Sequence, residues 1–348
     1  EGIPWYSSMG DYAVSPELFP EGLGKTVEAI REAGMIPGIW FEIDNVGCAA
    51  DAWNQTDHLL YRNGSVLETD SRRFWKMTDP WVQKYLSAVV IGTLKKYGFG
   101  YMKMDYNDTI GVGCDGAESL GEGLRRNMEA SRKFIEKVKE EIPGIVLENC
   151  ASGGSKMEPL MMELCSMASF SDAHECLEIP VIAANLHRAI LPRQSQIWAV
   201  IRECDSRQRI IYSMAATFLG RMCLSGDVLN LTSEQWTAIE DGIAFYHEIA
   251  PVIRHGGTRF FGTEQTSWRH LKGWQGILRM DGTEGFAVFH TFGGELTEDP
   301  YVKLPEGCEF AIAGSYSDNL PELELQNETL CWHTKENWKA AAVRVRKA

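Results

Sequence analysis

The 348-residue chain contains no apolar run long enough to cross a membrane, so no transmembrane helix is expected and no membrane partner is implied. It has no basic excess: 34 Lys and Arg against 48 Asp and Glu leave a net charge of −14. Phosphate-backbone binding needs clustered positive charge, so this balance argues against nucleic acid as a partner. Internal repeats and low-complexity segments are missing. The nine cysteines include no CxxC pair and no His/Cys cluster at zinc spacing. They read as mostly reduced and buried, which predicts a cytoplasmic protein. Residues 1–6 resemble neither a signal peptide nor a domain start, and read as the middle of a loop. What is present is ordinary globular material, 44% hydrophobic and 24% charged, enough for a large core. Eleven Trp and eleven Tyr are generous. Most belong in the core, but aromatics in clefts also suit flat apolar faces such as sugar rings.

The chain alternates strand and helix signals up to about residue 256. Apolar runs near 36–42, 74–77, 100–105, 145–150, 167–172, 197–201 and 222–225 read as strands. Helices are expected over 22–33, from Asp79-Pro80 to about Tyr97, from Leu124 to Pro143, near 206–219, and after a capping box from Thr232 to Gln235. Such alternation predicts a parallel sheet with helical crossovers. Seven strands are one short of a TIM-type (β/α)8 barrel, so the first strand is expected to precede Glu1. Residues 45–72 are polar, irregular and too long for a simple connection. Residues 257–273 read as a junction. From Trp274 the period changes to short strands and turns (274–280, 286–292, 309–315, 329–334, 341–346), which predicts a small antiparallel β-sandwich over 274–348.

One stretch, Gly100–Asp108, carries chemistry. Gly98 and Gly100 break the preceding helix, and a short strand then ends in charge. Lys103 and Asp105 stand two apart, hence on one face of that strand. This arrangement suits a site at the mouth of a barrel, where catalytic residues come from strand ends; a structural Lys–Asp ion pair is the plainer reading. A second strand-end acid, Asp172, lies two strands on. Two facing carboxylates are what glycoside hydrolysis requires, one ionised and one protonated. Asp172 would also serve as a helix N-cap.

Five segments together resemble the melibiase-type α-galactosidases of glycoside hydrolase family 36, in clan D. They are Gly10-Asp11 through Leu23, Gly34 through Glu42, Lys103 through Asn107, Glu148 through Gly154, and Ser171-Asp172. The resemblance implies a barrel and a retaining α-glycosidase, with Asp105 as nucleophile and Asp172 as acid/base. Lys103, Trp40, Glu42, Asn107, Cys150 and Gly153 would contact the sugar, Trp40 as a wall and Cys150 and Gly153 as a border. α-Linked galactosides or related oligosaccharides are the implied partners. No metal or organic cofactor is implied, and homo-oligomerisation is left open. Cys150 fits pocket lining better than a thiol nucleophile.

The sequence departs from the family pattern at Met104, where Trp is usual, and at Asp108, where Arg is usual. Ile43-Asp44 replaces Pro-Glu, and the acid/base loop reads Asp172-Ala-His-Glu175 in place of Asp-Asn-Thr-Asp. These changes leave the catalytic pair and suggest an altered specificity shell, so N-acetylgalactosamine, glucose or a transglycosylation acceptor are alternatives. Family members carry a large β-sandwich and an acid-bearing first barrel strand ahead of the region matched here. The expectation is therefore a C-terminal fragment with an incomplete barrel, and an inactive sugar-binding fragment is a further alternative.

Overall fold

The computed structural model describes residues 4–172, 175–318 and 322–348. The chain divides into two compact units, residues 1–170 and 171–348.

The first unit carries β1 (Gly38–Phe41), β2 (Asn45–Gly47), β3 (Arg72–Phe74), β4 (Tyr101–Met104), β5 (Val146–Asn149) and β6 (Met167–Ser169). Strands β1, β4, β5 and β6 are parallel neighbours in that order. Each is reached through helix, and local chemistry sets the helix ends. Asp79 caps the helix starting at Pro80 by accepting from the Trp81 amide at 2.8 Å. That helical run ends at Gly98, whose left-handed backbone (φ 69°) suits glycine. Ser119 caps the long helix Leu120–Glu141 through the Glu122 amide at 3.1 Å. Phe41, Met102, Met104 and Leu147 point from the sheet into a core shared with Val82, Leu94 and Val138 of these helices.

The expected barrel strand at 74–77 is not one. Its residues contribute to β3 (72–74), which pairs antiparallel with β2 outside the parallel sheet. Phe74, Trp75 and Met77 are fully buried. Their apolar run therefore reported burial, and it was burial against loops and helices.

The second unit holds β7 (Ser195–Ile201) and β8 (Arg221–Gly226), a parallel pair with the helix Arg207–Thr217 between them. The expected capping box at Thr232 and Gln235 opens the helix Ser233–His255. Four parallel strands in the first unit and two in the second make six, so the (β/α)8 barrel is incomplete among the described residues. Downstream lie β9 (Gly257–Gly262), β10 (Trp274–Asp281), β11 (Glu284–Thr291), β12 (Tyr301–Lys303), β13 (Phe310–Tyr316), β14 (Leu323–Gln326), β15 (Thr329–Trp332) and β16 (Ala340–Lys347). They form a five-stranded sheet, β9-β10-β11-β16-β13, and a three-stranded sheet, β12-β15-β14. Both sheets contribute to one core that includes Leu278, Phe289, Val302, Leu330, Trp332 and Val343, as a sandwich requires. Residues 257–262, read as junction, are instead a strand of that sandwich. The buried Arg279 donates to the carbonyls of Val252 (3.2 Å) and Ile253 (3.0 Å), closing the C-terminus of the preceding helix.

Among the described residues no helix is long and apolar enough to cross a membrane. All nine cysteines are free, but only Cys114, Cys150 and Cys165 are buried; Cys48 and Cys204 are exposed. The expectation of mostly buried thiols was too broad.

Candidate active site

The pairing of β1, β4 and β5 places Trp40, Lys103 and Glu148 side by side. Paired residues of parallel strands point the same way, so these three share a face, opposite the buried Phe41, Met102 and Met104. The ladder continues past the strand ends. Asp105 donates its amide to Phe41 O at 2.9 Å, and Cys150 to Met104 O at 2.8 Å. Alternation then puts Asp105 and Cys150 one step beyond Lys103 and Glu148, on their face.

Lys103 pairs with Glu148 at 3.1 Å, and the Tyr101 hydroxyl also donates to Glu148. Burial, the largest single influence, works against the Lys103 ammonium, but Glu148, Cys150 and Asp105 together outweigh it, and its pKa stands above the ordinary lysine value. The anticipated Lys103–Asp105 ion pair thus gives way to Lys103–Glu148. A neighbouring strand supplies the closer partner, which spacing along one strand does not reveal.

Asp105 is held ionised by donors. Its Oδ1 accepts from the Tyr106 amide at 2.8 Å and the Ser152 amide at 3.3 Å, and its Oδ2 from Trp40 Nε1 at 3.2 Å. Burial pushes its pKa up, yet the bonds from Asn107, Tyr106, Trp40 and Cys150 prevail and hold it below the usual carboxylate range. Such a carboxylate is charged, half-buried and unable to act as an acid near neutrality.

Behind it lies a buried polar layer. Glu42 has no exposed surface. It accepts from the Asn107 amide (2.8 Å), Asn107 Nδ2 (3.0 Å) and Asn45 Nδ2, and faces Arg72 at 3.6 Å. Desolvation raises its pKa against these bonds. Glu42, expected at the sugar, is thus placed behind Asn107 and fixes it; Asn107 also accepts from Ser152 Oγ at 2.9 Å. Burial and the nearby Asp105 push the Cys150 thiol up to about 12, so it stays protonated at neutral pH. Gly153 is buried and takes φ 84°, turning the Ala151–Gly154 loop tightly enough for Ser152 to reach Asp105.

Three residues here carried no role in the sequence reading. Glu148 was visible only as a motif residue. Arg72 opens β3, at the end of the stretch read as a long polar loop, with its guanidinium 5.6 Å from the Trp5 ring centre. Trp5 in turn stands edge-to-face on Trp40, at 5.6 Å between ring centres. Trp5 is 56% exposed, and an indole left in water beside a second indole was the available signal.

In the second unit, Asp172 lines a cleft of about 520 Å³ with Glu175, Cys176, Trp198, Val200, Arg202, Ser225 and Gly226. Arg202 follows β7 and is held by Asp227 at 3.1 Å and by Glu175. The next helix starts at Ile179 with Glu178 at its N-cap, so the N-cap alternative for Asp172 falls away. The strand read as 167–172 ends at Ser169, which leaves Asp172 on the following loop. His174, in the loop Asp172-Ala-His-Glu175, lies outside the described residues.

The melibiase family profile matches residues 5–256. The chain belongs to the melibiase family. Among curated proteins it is 23% identical to a probable α-galactosidase G of Emericella nidulans, over 91% of this chain and 48% of that protein. It is 22% identical to α-galactosidase AgaA of Geobacillus stearothermophilus, over 72% of this chain and 35% of that one. The chain thus spans at most about half of these relatives. Among solved structures, an AgaA variant of family GH36 in complex with 1-deoxygalactonojirimycin superposes with a TM-score of 0.83. The identity is 15%, covering 98% of this chain and 49% of the other. Another AgaA variant, in complex with stachyose, gives 0.82 at 17% identity, covering 99% and 49%.

Against the melibiase pattern, two departures have plain structural settings. Met104 lies on the buried helix-facing side of β4, so replacing the usual Trp there alters packing and not the site face. Asp108 accepts from Thr69 Oγ1 and from the Thr109 amide (2.7 Å), which ties the site loop to residue 69.

Proposed function

We propose that this chain carries the catalytic carboxylates of a retaining α-galactosidase, with residues 1–256 as the catalytic barrel and 274–348 as the β domain. The observation that supports this most is Asp105: a strand-end carboxylate kept ionised by donors from Trp40, Tyr106, Asn107 and Ser152. Asp105 attacks the anomeric carbon. Asp172 protonates the leaving oxygen and then takes a proton from the water that releases the sugar. Lys103, oriented by Glu148, binds sugar hydroxyls, and Trp40 offers an aromatic wall. Cys150 and Gly153 border the sugar, and Asn107 and Glu42 position the loop. The substrate class, α-linked galactosides, rests on the relatives' names and on the sugar ligands of the neighbouring structures. Nine free thiols fit a reducing compartment such as the cytoplasm.

The test is a panel of aryl α-glycosides, with product configuration read by NMR. The α-galactoside should react fastest with retention, and Asp105→Asn should lose at least about 10³-fold in kcat/KM, some 4 kcal/mol of barrel-mouth chemistry. Turnover unchanged in Asp105→Asn sinks the mechanism, and faster reaction of an α-glucoside or α-N-acetylgalactosaminide reassigns the sugar. The six-stranded, incomplete barrel favours a second reading, a sugar-binding unit without turnover. Galactose binding by calorimetry with no hydrolysis in the same preparation selects it.

A further inference from the structure

The outer face of the three-stranded sheet gathers groups that the glycosidase reading leaves unused. On β15, Leu330 and Trp332 point into the sandwich core and are buried, so Cys331 and, just past the strand, His333 point outward. Cys331 stands opposite Glu324 of β14 and opposite Tyr301 of β12. The β12 pairing continues through the Trp332 amide to Pro300 O (2.8 Å), which brings Asp299 beside His333. The spacing Cys331-x-His333 is too short to read as a zinc motif in sequence; strand pairing supplies the third member.

His333 Nδ1 lies 2.9 Å from Asp299 Oδ2 and 3.9 Å from Cys331 Sγ. These three atoms all fall within 4.8 Å of one another. In a tetrahedral zinc site with bonds of 2.0–2.3 Å, neighbouring ligand atoms stand roughly 3.3–3.6 Å apart, so small side-chain adjustments suffice. The other ring nitrogen, Nε2, lies 3.0 Å from Glu324 Oε2. A carboxylate on the far side of a ligating imidazole fixes its tautomer and raises its basicity. Lys335 holds the other oxygen of Asp299, Oδ1, at 2.8 Å and leaves Oδ2 facing the histidine. A simple ion cluster would account for the two carboxylates around an imidazolium, whose pKa they raise. It gives no reason for a thiol converging on the same nitrogen.

We propose that His333 Nδ1, Cys331 Sγ and Asp299 Oδ2 form a binding site for a thiophilic divalent cation of the Zn²⁺ type, with Glu324 as the orienting carboxylate and solvent in the fourth position. Binding displaces the proton on Nδ1 and the thiol proton, so two protons leave when both groups start protonated, and no redox step is involved.

The test uses the whole chain, stripped with a chelator and titrated with Zn²⁺ by calorimetry and with Co²⁺ by absorbance. One saturable site is expected, with a thiolate-to-cobalt charge-transfer band and proton release that falls as pH rises. Cys331→Ser should abolish the band, and Cys331→Ser and His333→Gln should each weaken Zn²⁺ at least tenfold. Glu324→Gln should weaken it about tenfold while keeping the band. Melting in chelator confirms that each variant is folded. No saturable Zn²⁺ binding by the unaltered chain, or undiminished binding by folded Cys331→Ser, overturns the proposal and leaves an ion cluster.

Discussion

Two glycines in the first turn of the helix Leu120–Glu141 should respond oppositely to alanine. Alanine normally favours a helix over glycine by about 1 kcal/mol, and by less in the first turn. A Cβ at Gly121 meets nothing within 4 Å. Gly121→Ala should therefore stabilise by somewhat under 1 kcal/mol. At Gly123 the added carbon would lie 2.1 Å from Cys114 O and 3.2 Å from Asp115 O. Those are backbone atoms, so relief requires the loop to move by about an ångström, and such overpacking costs about 1–3 kcal/mol. The loop is also pinned from its other side: Arg62 Nε donates to Gly113 O at 2.8 Å, and Asp115 accepts from the amides of Asn63 (3.0 Å) and Gly64 (2.9 Å). The propensity gain does not offset this, and Gly123→Ala should come out destabilised by about 1–2 kcal/mol. Urea unfolding of both variants reads the difference, and in thermal melts each kcal/mol should appear as about 2–4 °C. A Gly123→Ala protein as stable as Gly121→Ala would refute the reasoning, because the close approach would then not exist.

Trp40→Phe keeps an aromatic wall but removes the donor 3.2 Å from Asp105 Oδ2. The Asp105 pKa should rise toward the ordinary value. A depressed carboxyl adds stability above its unfolded value of about 3.9 and loses it as pH falls through the folded pKa. Part of that contribution should vanish in the variant; an Asp105 carboxyl carbon resonance that titrates as in the parent refutes this. Cys150, with its thiol near 12, should resist iodoacetamide at pH 8 while the exposed Cys48 and Cys204 react. Peptide mass mapping that finds Cys150 labelled as fast as Cys48 counts against its burial. His187 donates from Nε2 to Leu219 O and accepts at Nδ1 from Thr258 Oγ1 (3.2 Å). Burial lowers its pKa to about 4. The unfolded chain takes up the proton first, so stability present above pH 6.5 should fall between 6.5 and about 4, by on the order of 3 kcal/mol. Urea midpoints from pH 7 to 4.5 should show the slope, and His187→Gln should flatten it; equal slopes contradict the assignment.

Much of the architecture was legible because its signals are local. Asp79-Pro80 and the Thr232–Gln235 box mark helix starts through side chains that reach their own amides, with no help from the rest of the fold. The strand leading to Asp105 was legible for a similar reason, since a short apolar run ending in charge has few other uses. The run at 74–77 misled because hydrophobicity reports burial without naming the partner. Residues 257–262 misled in the opposite sense: β9 is an exposed edge strand, and its mixed composition resembles a linker.

By itself, then, the sequence determined where the helices and most strands lie, that Lys103 and Asp105 share a face, and which family pattern the chain follows. Only the tertiary structure decided the partners. Lys103 belongs to Glu148, Glu42 is sealed behind Asn107, and Asp299 joins Cys331 and His333. Each of these depends on which strands or loops stand side by side. Periodicity along one strand gives the direction of a side chain, whereas the charge it meets is chosen by register across strands far apart in the chain.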